Sequence, residues 1–131
     1  MMTFDEFADI VDDEMDLLPD YVYDDLNGGV VVDERPCLHP ERLADDLYIL
    51  GTYTSDSVLG KQIRIYYGSF VAAVSHDPAV IRRQIRETLR HEFLHHMETR
   101  AGMFGKGTLI EEDRERMRRY YQSHRERESS C

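Results

Sequence analysis

The order of elements along the chain predicts an α+β fold: one helix, three or so short strands, then two helices packed on a small sheet. Three observations carry that expectation. An amphipathic stretch opens the chain, β-branched and alternating runs fill its middle, and a long apolar stripe at helical spacing follows. The chain has 131 residues, a length that suits one domain, 1–131, built around one core.

The opening segment TFDEFADIVDDEMDLLPD repeats Phe4, Phe7, Val11, Met15 and Leu18 every three or four positions, which predicts a helix over about residues 1–18. Thr3 followed by Glu6 has the form of a capping box, and Pro19 is a natural stop. Asn27-Gly28-Gly29 signals a turn, and Val30 to Val32 a strand. Leu47 to Leu50 with Gly51 and Tyr53 suggests a second strand that bends at the glycine. The segment between, which carries Cys37 and His39, reads as loop. In KQIRIYYGSF, Ile63, Ile65 and Tyr67 alternate with Gln62, Arg64 and Tyr66, the clearest strand signal in the chain. Phe70 to Val74 continues as apolar structure or connection. The longest helix is expected over 77–101. Asp77 caps it, Pro78 takes its first position, Ile81, Ile85, Leu89 and Phe93 form its stripe, and Gly102 ends it. After a glycine-dotted loop, Thr108 can cap a last helix over about 108–127.

Hydrophobic residues make up 41% and charged residues 32%, a balance that indicates a globular chain rather than a disordered one. The net charge of −10 argues against nucleic acid as a partner, and the late arginines alternate with glutamates rather than forming a basic patch. No apolar run reaches membrane-spanning length, and MMTFDEFADI lacks the features of a secretory leader, so a cytoplasmic location is expected. Cys37 and Cys131 have no metal-type spacing and read as free thiols of a reducing compartment. His39, beside Pro40, reads as a solvent-facing loop histidine.

The chemistry is concentrated in RHEFLHHMETRAG, residues 90–102. His91-Glu92-x-x-His95 on a helix sets two imidazoles one turn apart and pointing the same way, where both can bind one Zn²⁺ at about 2.0–2.1 Å. Glu92 is one step round the helix, placed to take a proton from a water whose pKa the metal lowers to roughly 7. A structural pair of histidines is the alternative reading. Catalytic zinc usually keeps three protein ligands, so one is missing. Glu98 is on the same face, but seven residues beyond His91 is roughly 10 Å along the axis, which suits a supporting carboxylate rather than a ligand. A last helix that runs back beside the first brings Glu111, Glu112, Asp113 or Glu115 near His95.

LYILGTYTSDSVLGKQIRIYYGSF, LRHEFLHHMETRAG and LIEED, with the opening helix that ends in Leu-Pro, resemble segments of the small bacterial zincin-like metallopeptidases, the minimal zincins. The resemblance implies a minimal zincin-like fold: an N-terminal helix, a small mixed sheet of about three to four short strands, the long HExxH helix and a C-terminal helix. It implies a zinc-dependent peptidase with zinc on His91 and His95 and Glu92 as general base. The matched branch is the one with His-Glu-Phe-x-His-His-x-Glu. The other branch has Gly in place of Glu98 and Asp in place of Ala101, so the acid familiar from that branch is absent here. The third ligand is then expected to be Asp113, with Glu112 second. The resemblance also sets the strand Gln62 to Tyr67 along the cleft, with an edge open to an extended peptide or protein substrate. Tyr66, Tyr67 or Tyr120 is then a candidate to stabilise the oxyanion. His96, about 100° round from His95, is expected to donate to a strand or carboxylate. The rival reading is a non-catalytic metal-binding or protein-interaction module on the same scaffold. Another divalent metal, iron, nickel or manganese, also suits histidine and carboxylate.

Overall fold

A computed structural model describes residues 2–102 and 109–129, and the side chains among them except those of 109–112 and 126–129. Its elements are α1 (Phe4–Asp16), β1 (Gly29–Asp33), β2 (Gly51–Asp56), β3 (Gly60–Tyr66), α2 (Tyr67–Ala73), α3 (Pro78–Ala101) and α4 (Leu109–Ser129), with a 3-10 turn at Asp20–Tyr23. Among the described residues this is an α+β architecture of four helices and a three-stranded mixed sheet. Among the described residues no helix is long and apolar enough to cross a membrane.

The helix boundaries follow from their caps. Thr3 Oγ1 accepts from the Glu6 N–H at 3.2 Å and donates to Glu6 Oε1 at 3.1 Å. Glu6 thus turns to the cap's hydroxyl rather than to its backbone N–H, and half of the expected box is formed. α1 stops at Asp16, two residues short of the expected end. Leu17 and Leu18 tighten onto Glu14 and Met15, and the residue before Pro19 is biased away from helix. In α3 the Asp77 side chain accepts from the Ala79 N–H at 3.0 Å, and Gly102 closes the helix at φ 70°, a left-handed conformation natural to glycine. Thr108, expected to cap the last helix, and Cys131 lie outside the described residues.

The sheet order is β1-β3-β2, with β1 parallel and β2 antiparallel to β3. This corrects the expectation that the Gln62–Tyr67 strand offers an open edge: it is central, flanked on both sides. A hairpin at Asp56–Gly60 is the cause, since it folds β2 back along β3. Within it Asp56 Oδ1 accepts from the N–H groups of Val58 and Leu59. The second strand also starts later than expected. Leu47 to Ile49 pairs instead with the loop ahead of it, through Ile49 N–H to the Cys37 carbonyl (2.7 Å) and His39 N–H to the Leu47 carbonyl (2.9 Å). Tyr67 leaves the sheet to open α2, and Phe70 to Ala73 is helix.

Ile63 and Ile65 on one face of β3 are fully buried with Phe7 and Val11 of α1, Phe70 of α2, and Ile81, Ile85, Leu89 and Phe93 of α3. Burying each such side chain contributes about 1.5–3 kcal/mol relative to exposure. On the helix side Glu14, itself buried, accepts from Arg82 (3.2 Å) and Arg86 (2.9 and 3.0 Å) and ties α1 to α3. At the end of β1 Asp33 accepts from Arg35 and from Arg64, and the latter ties β1 to β3. The apolar core fixes α3 against the sheet, and the Glu14 contact fixes it against α1, so that one of its faces is left to solvent.

Candidate metal centre

The phase of α3 decides where its ionisable side chains point. At about 100° per residue, Leu89, Phe93 and His96 share one line, His91 and His95 lie roughly 145° round the helix from it, and Glu92 falls between. The observed burial follows this order. His96 is fully buried at 0% exposure, Glu92 is buried, and His91 and His95 are partly exposed.

One ring nitrogen or carboxylate oxygen from each of His91, Glu92 and His95 lies within 4.8 Å of the others. α4 returns beside α3 and places Asp113 across both rings: its Oδ1 is 3.2 Å from His91 Nε2 and its Oδ2 is 2.9 Å from His95 Nε2. The two imidazole nitrogens therefore converge on a single carboxylate. Glu115, on the same helix, is paired with Arg118 instead. The side chains of Glu111 and Glu112, including the expected second choice for a ligand, lie outside the described residues.

The electrostatics follow from that packing. Burial pushes the Glu92 carboxyl above the usual carboxylate range, with the neighbouring rings of His91 and His95 opposing the shift. For Asp113, burial acts upward too, but the hydrogen bonds from His91 and His95 outweigh it and hold the group well below that range. The bond from Asp113 raises the His95 imidazole, with a smaller push from Glu92 and Glu98. Glu98 thus belongs to the electrostatic surroundings of His95.

His96 does not join this group. Its Nε2 lies 2.7 Å from the Asp24 carbonyl and its Nδ1 lies 2.8 Å from the Tyr53 hydroxyl. A carbonyl only accepts, so Nε2 carries the proton and Tyr53 donates to Nδ1. The expected donation is made, to the backbone after the 3-10 turn rather than to a strand or carboxylate. Tyr67, expected near substrate, lies elsewhere. It donates to the Met2 carbonyl at 2.6 Å and packs edge-on against Phe4 and Phe7. Tyr120 is likewise committed: it donates to Asp46 and accepts from the Leu43 N–H, both at 2.9 Å. Tyr66 ends β3 opposite Asp33.

A cleft of about 590 Å³ runs past the cluster, and His39, Leu50, His91, Glu92, Asp113 and Arg116 are among the residues that line it. His39 and Arg116 were not singled out as site residues by their sequence context, because nothing local to either marks a cleft. A second groove, about 690 Å³, lies at Leu43, Arg118, Arg119 and Arg125 and includes none of the cluster. Gly51 brings β2 against α3 beside the cluster. A Cβ there would stand 2.8 Å from Thr88 Cγ2 and 3.3 Å from Glu92 Cγ.

Fold and site together define an α+β domain whose longest helix presents a His-Glu-His cluster to an acid from its neighbour. No protein-family model matches the chain, and no curated protein matches it. Among solved structures it is similar to a conserved hypothetical protein from Thermus thermophilus, with a TM-score of 0.65 and 28% identity over 76% of this chain and 98% of that one.

Proposed function

We infer that this chain is a zinc-dependent metallopeptidase with a minimal zincin-like fold, hydrolysing peptide bonds in the cleft beside α3. The observation that carries the reading is Asp113, whose two oxygens each meet one imidazole of the His91–His95 pair. Two imidazole nitrogens and one carboxylate are the donor chemistry of a three-ligand zinc site, so the residues fit the metal. His91, His95 and Asp113 would hold it. When bound, zinc supplies Lewis acidity and lowers the pKa of water to about 7.

The remaining steps fall to the chain's own groups. Glu92 is left free of the ligand set and takes the proton from the attacking water. It later hands that proton to the departing amine nitrogen. The register supports a place for the substrate backbone. Leu50, Thr52 and Thr54 turn their peptide groups to β3, so those of Gly51 and Tyr53 face the open edge of β2. An extended peptide can pair there beside Glu92, on β2 rather than on the strand expected from sequence.

Zinc content and turnover of a fluorogenic peptide mixture, measured for the wild type and Glu92→Gln, test the reading. Zinc retained with turnover lost is the expected result. Equal turnover in the two proteins removes Glu92 from the reaction.

A further inference from the structure

We propose that His39 is a catalytic residue of this cleft, donating a hydrogen bond from Nε2–H to the carbonyl oxygen as it becomes an oxyanion. The proposal rests on the peptidase reading above and adds a residue to it.

His39 lines the same cleft as His91, Glu92 and Asp113. Its Nδ1 accepts the Glu41 N–H at 3.1 Å, so in the neutral ring the proton sits on Nε2. Among the described residues nothing accepts from Nε2, so that donor is unengaged on a residue that lines the cleft. The backbone around the ring is held at several points. His39 N–H bonds the Leu47 carbonyl, Cys37 N–H bonds Ser69 Oγ at 2.8 Å, and Arg42 N–H closes a turn onto the His39 carbonyl. The strap that follows is fastened to α4. Tyr121 donates to the Glu41 carbonyl at 2.5 Å, and Tyr120 takes the Leu43 N–H and gives its own proton to Asp46. The helix that positions Asp113 therefore also holds the segment that orients His39. Two of the three tyrosines expected to stabilise an oxyanion are spent on other bonds, Tyr67 on Met2 and Tyr120 on this strap.

In the step itself a lone pair of the attacking water forms a bond to the carbonyl carbon, and the C=O π pair moves to oxygen. His39 donates a hydrogen bond to that oxygen and transfers no proton. On collapse the pair re-forms C=O, the C–N bond breaks, and nitrogen receives the proton carried by Glu92. A donor already fixed in place stabilises the developing charge without reorganising, which is why one such donor is worth about 10²–10³ in kcat.

His39→Asn tests the assignment, because its Oδ1 can still accept from the Glu41 N–H while the Nε2 donor is gone. Its melting temperature and zinc affinity are expected to match the wild type, with kcat down about 10²–10³-fold and KM little changed. A readout independent of turnover is phenylphosphonate, whose tetrahedral oxyanion is expected to bind the zinc-loaded variant at least ten-fold more weakly by calorimetry. Wild-type phosphonate affinity and wild-type kcat in His39→Asn, while Glu92→Gln is inactive, overturn the role of His39 alone. No zinc-dependent turnover by the wild type, with phosphonate binding unaffected by His39→Asn, overturns the peptidase reading as well.

Discussion

Replacing Gly51 by alanine probes the contact that sets β2 against the cluster. The new methyl would lie 2.8 Å from Thr88 Cγ2, 3.1 Å from Ile65 Cδ1 and 3.3 Å from Glu92 Cγ. None of these neighbours yields cheaply. Ile65 is fully buried, and Thr88 is a β-branched residue inside α3 with few rotamers open to it. Overpacking of this kind costs about 1–3 kcal/mol, and the loss of unfolded-chain freedom on Gly→Ala returns roughly 0.4–1 kcal/mol. The net loss is about 1.5 kcal/mol, or roughly 5 °C in a domain of this size. Thermal unfolding followed by circular dichroism measures it. Relief of the clash moves Glu92 as well as β2, so peptidase turnover should fall while zinc affinity holds. An unchanged or raised melting temperature would refute the close approach of β2 to α3 and the placement of Glu92 that depends on it.

Other outcomes follow from the same geometry. The bonds from Arg86 and Arg82 hold the Glu14 carboxyl below its ordinary value, so its stabilisation is complete above that value and is lost as pH falls through the lower, folded-state one. Glu14→Gln should therefore cost about 1–3 kcal/mol at pH 7, with a smaller difference from wild type in acid urea titrations; a constant difference across pH would exclude the linkage. Tyr67→Phe removes the bond to Met2, costing about 1 kcal/mol in chemical denaturation, and should leave zinc binding and kcat unaltered; a loss of kcat would return Tyr67 to the site. Tyr53→Phe leaves buried His96 Nδ1 without its donor and should destabilise by about 1–3 kcal/mol; no change in the denaturation midpoint would show that the tyrosine bond adds nothing.

Local signals carried most of the architecture into the sequence. The stripe of α3, its Asp77 cap and its Gly102 stop are statements about residues close in the chain, and they fixed the phase that sets His91 and His95 side by side. The same phase puts His96 on the line of Leu89 and Phe93, a sign in the sequence that its side chain turns inward. Asp113 was within reach of sequence reasoning because an antiparallel return after a short loop restricts which turn of α4 can come level with His95. Strand order was not legible. Alternation marks Ile63 and Ile65 as one face of a strand but says nothing of which neighbours pair with it, and here they occupy both edges. The cleft wall was hidden for a similar reason. His39 reaches it through backbone pairing with Leu47 and a strap bound to Tyr120 and Tyr121, contacts up to eighty residues apart in sequence.

Zinc titrated calorimetrically into metal-free protein, alongside Asp113→Asn and His95→Ala, bears most directly on the central claim. One zinc per chain is expected, with affinity lower by more than about 100-fold in each variant, since loss of a direct ligand should exceed the 10–100-fold cost of losing an outer partner. A wild type that takes up no zinc, or variants that bind it as tightly as the wild type, would contradict a metal centre built from His91, His95 and Asp113.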